Sequence, residues 1–232
     1  MEGTSPIKGK AADPVTKVAE LDVIKSSVDK LVHPIKDIFV DGGRDASEVV
    51  IKFLAHLVQS PEEKPEMALN IVTENPKIRL LMKFFSHYII GQNYVLEGSP
   101  RTVLRAGNCD IENKLLIVLD NFDLLKAEEF DLLNSRIKGK NIVVKIKGGE
   151  KRSVTDYARY IVFNKQPFDD NPRFINIKIN DRNTAGYLNL LEALISKKDP
   201  NLQVVADFFY TYLMKHVDIS DFRTTQLKIS KQ

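Results

Sequence analysis

The stretch KLLIVLDNFD, Lys114 to Asp123, constrains the fold more than any other part of the sequence. Five successive apolar residues, Leu115 to Leu119, run straight into Asp120. A run this short and continuous is that of a strand buried on both faces, as in a parallel sheet, and it delivers an acid at its carboxyl end. Similar runs recur: Ala68 to Thr73, Tyr160 to Phe163, and RFINIKI at Arg173 to Ile179 each read as a strand. NIVVKIKGGEKRSV alternates and turns at Gly148-Gly149, the pattern of a hairpin. Helical spacing lies between and after them. ASEVVIKFLAHLVQ, capped by Asp45 or Ser47, stops before Pro61; Lys77 to Ile90 follows the first strand, with ENP as the turn between them. A helix or loop follows Asp123, and YLNLLEALISKK and QVVADFFYTYLMKHV end the chain. Strands alternating with helices, then a helical tail, predict an α/β domain with a mostly parallel sheet.

Composition narrows the class. An apolar share of 43% over 232 residues can supply a proper core, and a net charge of +3 shifts attention from total charge to its clustering. One cysteine, Cys109, excludes an internal disulfide framework and a zinc site built on cysteine pairs. No apolar run reaches the ~20 residues of a bilayer span and no signal-peptide core is present, so an intracellular protein of the cytoplasm or nucleus, without a membrane partner, is expected. Residues 1–16, rich in Gly, Pro and Lys, read as a flexible lead-in. Residues 17–60 read as an N-terminal helical region, with Val18, Leu21, Ile24, Val28 and Leu31 at helical spacing. The core is expected over 61–184 and the helical tail over 185–232.

Chemistry-bearing motifs are few. A phosphate-cradling loop needs glycines, a lysine and a Ser or Thr, and no G-x-x-x-x-G-K-[ST] occurs. Where it would stand, between the first strand and its helix, the chain has TENPKIRL. Asp120 and Asp123 could hold a metal, but a strand-end Asp capping a turn is the plainer reading, and no metal is expected. The four histidines, His33, His56, His87 and His216, read as packed or surface residues. Between Lys138 and Lys165 stand eight basic residues against Glu150 and Asp156, a local charge of +6. A lysine-bearing hairpin there, KIKGGEKR, either contacts phosphates or is simply solvated.

Several stretches, taken in order, resemble the superfamily 3 helicases, in the form found as the C-terminal ATPase domain of poxvirus-type and phage primase-helicases. FLAHLVQSPEEKPEMAL is similar to the signature that leads into that family's phosphate loop, and KLLIVLDNFD sits where its magnesium-binding strand belongs. KIKGGEKRSVTDYARYIVFNKQPF resembles the DNA-binding hairpin and the strand ending in the sensor asparagine. NPRFINIKI looks like the segment with the arginine pair, and FFYTYLMKHVDISDF like the helical tail. The resemblance runs from about Ile35 to Leu227. It implies a P-loop NTPase, AAA+-like core with N-terminal helices and a helical C-terminal tail, a link to DNA replication, and a viral or mobile-element origin.

The same alignment implies a degenerate nucleotide site at Thr73, Pro76, Arg79, Asp120, Asn121, Asn164 and Arg173. Thr73, Pro76 and Ile78 replace glycines, Arg79 replaces the lysine, and Leu80 the magnesium-binding hydroxyl. Asn121 stands for the water-activating glutamate, and an amide is no base at neutral pH. Pro172 takes the first place of the arginine pair, and Asn164 matches the sensor. The expectation is a pseudoenzyme with no catalytic residues, whose ATP and magnesium have been lost as cofactors. Retained DNA contact is expected at Lys145, Lys147, Lys151 and Arg152, with single-stranded or duplex DNA, self-association or replication proteins as partners. Two alternatives stand beside it: a protein–protein scaffold without a nucleic-acid role, and a divergent NTPase using Arg79 and Asp120.

Overall fold

The continuous apolar runs become the strands of one sheet, and every pairing in it is parallel. β1 (Ala68–Val72), β2 (Val95–Gly98), β3 (Leu116–Leu119), β6 (Arg159–Asn164) and β7 (Phe174–Lys178) stand in the order β2-β3-β6-β1-β7. β4 (Asn141–Lys145) and β5 (Lys151–Thr155) form a separate antiparallel hairpin. The computed structural model describes residues 38–39, 46–105, 107–120, 127–146, 148–179, 181–196 and 200–222. The expected lead-in over 1–16 and nearly all of the helix over Val15–Ile38 lie outside it. Ile38 and its neighbour Phe39 are described, and both are fully buried.

Alternation along the strands feeds two cores. Leu69, Ile71, Leu116, Val118, Ile161 and Phe163 face one side. There they meet α1 (Ala46–Gln59), α2 (Arg79–Phe84), α5 (Asp181–Ser196) and α6 (Pro200–Lys215). Ala68, Ile117, Leu119, Tyr160 and Val162 face the other side, under α3 (Pro100–Val103), α4 (Ala127–Lys138) and the hairpin. A sheet covered on both faces is why its strands read as unbroken apolar runs rather than alternating ones.

Three features differ from the sequence reading. The interval before Leu115 holds a strand, β2, which was not expected. Its four residues include the exposed Glu97 and end on Gly98, too short a stretch for any period to show. The helix expected over Lys77–Ile90 is a 3-10 turn at Pro76–Ile78, then α2, then a π-helical turn at Phe85–Ile90. The tail helices begin at Asp181 rather than Ala185. No helix among the described residues is long and apolar enough to cross a membrane.

The stretch QSPEEKP after α1 is held by buried cations. Arg159, fully buried at the start of β6, donates to the carbonyls of Ser60 and Glu63 (both 2.6 Å) and Pro61 (3.2 Å), and lies 3.1 Å from His56 Nδ1. Burial lowers its pKa to about 10, with Glu62 and Glu63 opposing. Lys64 pairs with Asp156 at 2.5 Å, with side chains only 7% and 1% exposed, and also donates to the carbonyls of Arg136 and Gly139. Gln59 donates to the carbonyls of Leu213 and Val217 at the end of α6, and His56 stacks on Phe222 at 4.7 Å. The segment that carries the most specific family resemblance is therefore architectural in this chain. It fastens α1 to β6 and to the C-terminal helices.

Candidate functional site

Parallel sheets present ligands at the carboxyl ends of their strands. Here a pocket of ≈ 140 Å³ opens at the ends of β1 and β6, lined by Thr73, Glu74, Asn75, Pro76, Arg79, Phe163, Asn164 and Lys165. Four of the residues assigned to the degenerate nucleotide site thus come together: Thr73, Pro76, Arg79 and Asn164. Asp120 joins them from the end of β3, its Oδ1 3.1 Å from Arg79 Nε.

A phosphate cradle works by leaving backbone amides unpaired and convergent. This loop closes on itself instead. The Thr73 N–H donates to the Asn164 carbonyl at 2.9 Å, and the Asn75 N–H donates to Thr73 Oγ1 at 3.0 Å. Pro76 has no N–H. The Lys77 N–H donates to Asn75 Oδ1 at 3.0 Å, and the Ile78 N–H to the Asn75 carbonyl at 3.4 Å. Asn75 as N-cap and Pro76 at the first helical position make an ordinary capped helix start. The loop's own lysine, Lys77, points away to Asn189 and Glu192 on α5 at 2.8 and 3.0 Å.

Asp120 and Asn164 are also engaged. Arg79 lies along Asp120 and over the Phe163 ring, 5.9 Å from its centre. The Arg79–Asp120 contact is an ion pair without hydrogen-bond alignment, and Asp120 Oδ1 has no hydrogen-bond partner among the described residues. Burial pushes the Asp120 carboxyl above the usual carboxylate range; Arg79 opposes that, and Glu97 adds to it. The Asn164 side chain is used within its own loop, with Oδ1 accepting from the Lys165 N–H at 2.9 Å and Nδ2 donating to the Gln166 carbonyl at 2.8 Å. With the amides of Thr73, Asn75, Lys77 and Ile78 paired, none at Pro76, and the acid matched to an arginine, the donor set does not fit a magnesium-bound triphosphate.

Arg173 is not brought to this pocket. Its carbonyl accepts from the Ala68 N–H at 2.8 Å, at the amino end of β1 and therefore at the opposite end of the sheet. Asn121 and Lys147 lie outside the described residues. No group of three or more His, Cys, Asp or Glu side chains that could hold a metal occurs among the described residues.

The basic segment divides in the structure. Arg159, counted with it in sequence, is turned inward. On the hairpin, Lys145 lies directly across from Lys151 in the antiparallel register, and both are exposed. Like charges placed opposite each other cost stability unless an anion meets them. No ion pair among the described residues engages either lysine. Arg152 lies one rung inward, across from Val144, and is held by Glu112, a partner that sequence reading missed because it stands 40 positions away. The hairpin turn uses Gly148 and Gly149 at φ 103° and 90°, which glycine adopts without strain.

No protein-family model matches the chain, and no curated protein matches it. Solved structures do. The apo structure of the NrS-1 C-terminal region (305–718) superposes with a TM-score of 0.61 at 15% identity, over 91% of this chain and 52% of that one. Two A-form apo structures of the same region give TM-scores of 0.54 at 16% and 14% identity, over 91% and 89% of this chain and 51% of each of theirs. What they share with it is the fold. It is an α/β architecture with a five-stranded parallel sheet and N-terminal and C-terminal helices, the class expected from the resemblance. The chain spans about half the length of the solved chains it matches.

Proposed function

We propose that this chain is a replication-associated, helicase-like protein that has given up ATP hydrolysis and acts by binding DNA through its β4–β5 hairpin, in company with replication partners. The loss of nucleotide chemistry is supported by the self-paired loop over Thr73–Ile78 and by Arg79 in ion contact with Asp120. The observation that carries DNA binding is the opposed, exposed pair Lys145 and Lys151 at the turn end of the hairpin. Two ammonium groups on one face, with no acid partner among the described residues, are the kind of site that backbone phosphates neutralise, releasing counterions as they do.

The test is a salt titration of binding to single-stranded and duplex oligonucleotides, comparing the parent with Lys145→Ala/Lys151→Ala. Loss of two phosphate contacts lowers the salt slope by about 1.4 for a single strand and about 1.8 for a duplex. Equal affinity and equal slope for parent and variant would remove the hairpin from the reading.

A further inference from the structure

Arg152 is one of the four cations by which the hairpin would meet phosphate, yet in the free chain one edge of its guanidinium is already paired with an acid. One terminal nitrogen donates to both carboxylate oxygens of Glu112, at 2.5 and 2.6 Å. Glu112 belongs to the segment between α3 and β3, which no feature of the sequence connected with the hairpin. That segment is docked on the hairpin by a second, independent contact. The Lys145 N–H donates to the Gly107 carbonyl at 3.0 Å, and Gly107 forms a parallel bridge with Val144. Gly107 has φ 73°, and a Cβ there would meet the Lys145 Cβ at 3.0 Å, so the close approach needs glycine. Val144 is also the residue across from Arg152 in the hairpin register. The backbone bridge and the ion pair therefore grip the same rung. The Glu112 carboxylate is held beside the guanidinium by the fold, rather than meeting it by chance on a mobile surface.

A carboxylate and a phosphate ask the same of a guanidinium: charge and two acceptor oxygens in one plane. Glu112 takes both N–H groups of one terminal nitrogen and offsets the guanidinium charge, so a phosphate reaches that edge only by displacing the carboxylate. We infer that Glu112 is a built-in competitor for phosphate, which holds Arg152 out of nucleic-acid contact and leaves Lys145 and Lys151 to make the first engagement. This inference rests on the DNA-binding reading of the hairpin. Removing the Glu112 charge then adds one phosphate contact without adding a residue.

The experiment is fluorescence anisotropy of a labelled oligothymidylate with the full chain, from about 50 to 200 mM salt, where single-strand binding falls with a slope of about 0.7 per phosphate neutralised. Glu112→Gln, Arg152→Gln and the double variant are compared with the parent. Glu112→Gln is expected to bind about eightfold more tightly at 50 mM and about threefold at 200 mM, with a slope steeper by about 0.7. The double variant is expected to lose the gain, and Arg152→Gln alone, which leaves the Glu112 charge unpaired beside the hairpin, to bind no more tightly than the parent. Glu112→Asp, whose shorter side chain loosens the grip while keeping the charge, is expected to fall between parent and Glu112→Gln. Melting curves for each variant establish that it is folded. Binding by Glu112→Gln that equals or falls below the parent's, at the parent's slope, overturns the inference while leaving the hairpin reading intact if Lys145→Ala/Lys151→Ala still weakens binding. Should neither the parent nor any variant show salt-dependent binding, the DNA reading falls and the inference falls with it.

Discussion

Replacing Arg79 by alanine tests the reading of the pocket directly. Arg79 and Asp120 are 43% and 28% exposed with 3.1 Å between charged atoms, so solvent screens much of their attraction. A pair in that setting contributes about 0.5–1 kcal/mol, and an exposed cation over a ring roughly another 0.5 kcal/mol. Arg79→Ala should therefore cost about 1–1.5 kcal/mol at neutral pH, a fall of roughly 2–6 °C in melting temperature for a chain of this size. The pH dependence has a definite sign. The Asp120 pKa is raised by burial, so the protonated form is favoured in the folded chain, and its stabilising contribution is lost as pH rises through the native pKa. Ionised Asp120 is a cost that Arg79 offsets, and removing Arg79 raises that cost. The deficit of Arg79→Ala should be greatest above the native pKa of Asp120 and shrink as pH falls toward the ordinary carboxylate value. Asp120→Asn removes the cost and should lie within about 0.5 kcal/mol of the parent at neutral pH.

The assay is thermal unfolding of the parent and both variants across that pH range, with and without millimolar Mg-ATP. A ligand present at a hundredfold its dissociation constant stabilises the state it binds by about 2.7 kcal/mol, roughly 5–11 °C here. No shift is expected. A shift of that size in the parent that disappears in Arg79→Ala and Asp120→Asn would refute the reasoning. The Arg79–Asp120 contact would then be a resting state that nucleotide opens, and the divergent NTPase would become the reading to pursue.

Two further outcomes test the frame that carries the site. Lys64→Met leaves Asp156, 1% exposed, without its cation, and should cost about 3–5 kcal/mol by chemical denaturation, while Lys64→Met/Asp156→Leu should recover most of it. Phe222→Ala removes a ring that stacks on His56 and meets Phe53 edge-on at 6.5 Å. It should cost about 3–5 kcal/mol and speed amide exchange at the end of α6, leaving the hairpin unchanged.

What could be read from the chain in advance was whatever depends on residue type and short spacing. ALNIV, LLIVL and RYIVFN are apolar without a helical period, so their strands had to be buried on both faces, and the parallel sheet follows from that. Gly148-Gly149 marked the hairpin turn because few other residues adopt positive φ without strain. The absence of glycine from TENPKIRL was legible because a phosphate cradle needs free amides on a backbone with glycine torsions, and Pro76 and Ile78 do not supply them.

The pairing of these pieces came only from the tertiary structure. Arg159 and Arg152 look alike in a basic stretch, yet one is sealed under the loop after α1 and the other is clasped by Glu112. Arg173 and Asn164 are nine positions apart, yet the connection that leaves the end of β6 and returns to the start of the parallel β7 puts them at opposite ends of the sheet. Arg79 and Asp120 meet because β1 and β3 both flank β6, a strand order that local sequence does not encode. The physical reason is the same in each case. Local pattern fixes which residues are buried and which backbone angles are allowed, whereas a charge's partner is chosen by chain crossings that bring together residues some forty to a hundred positions apart.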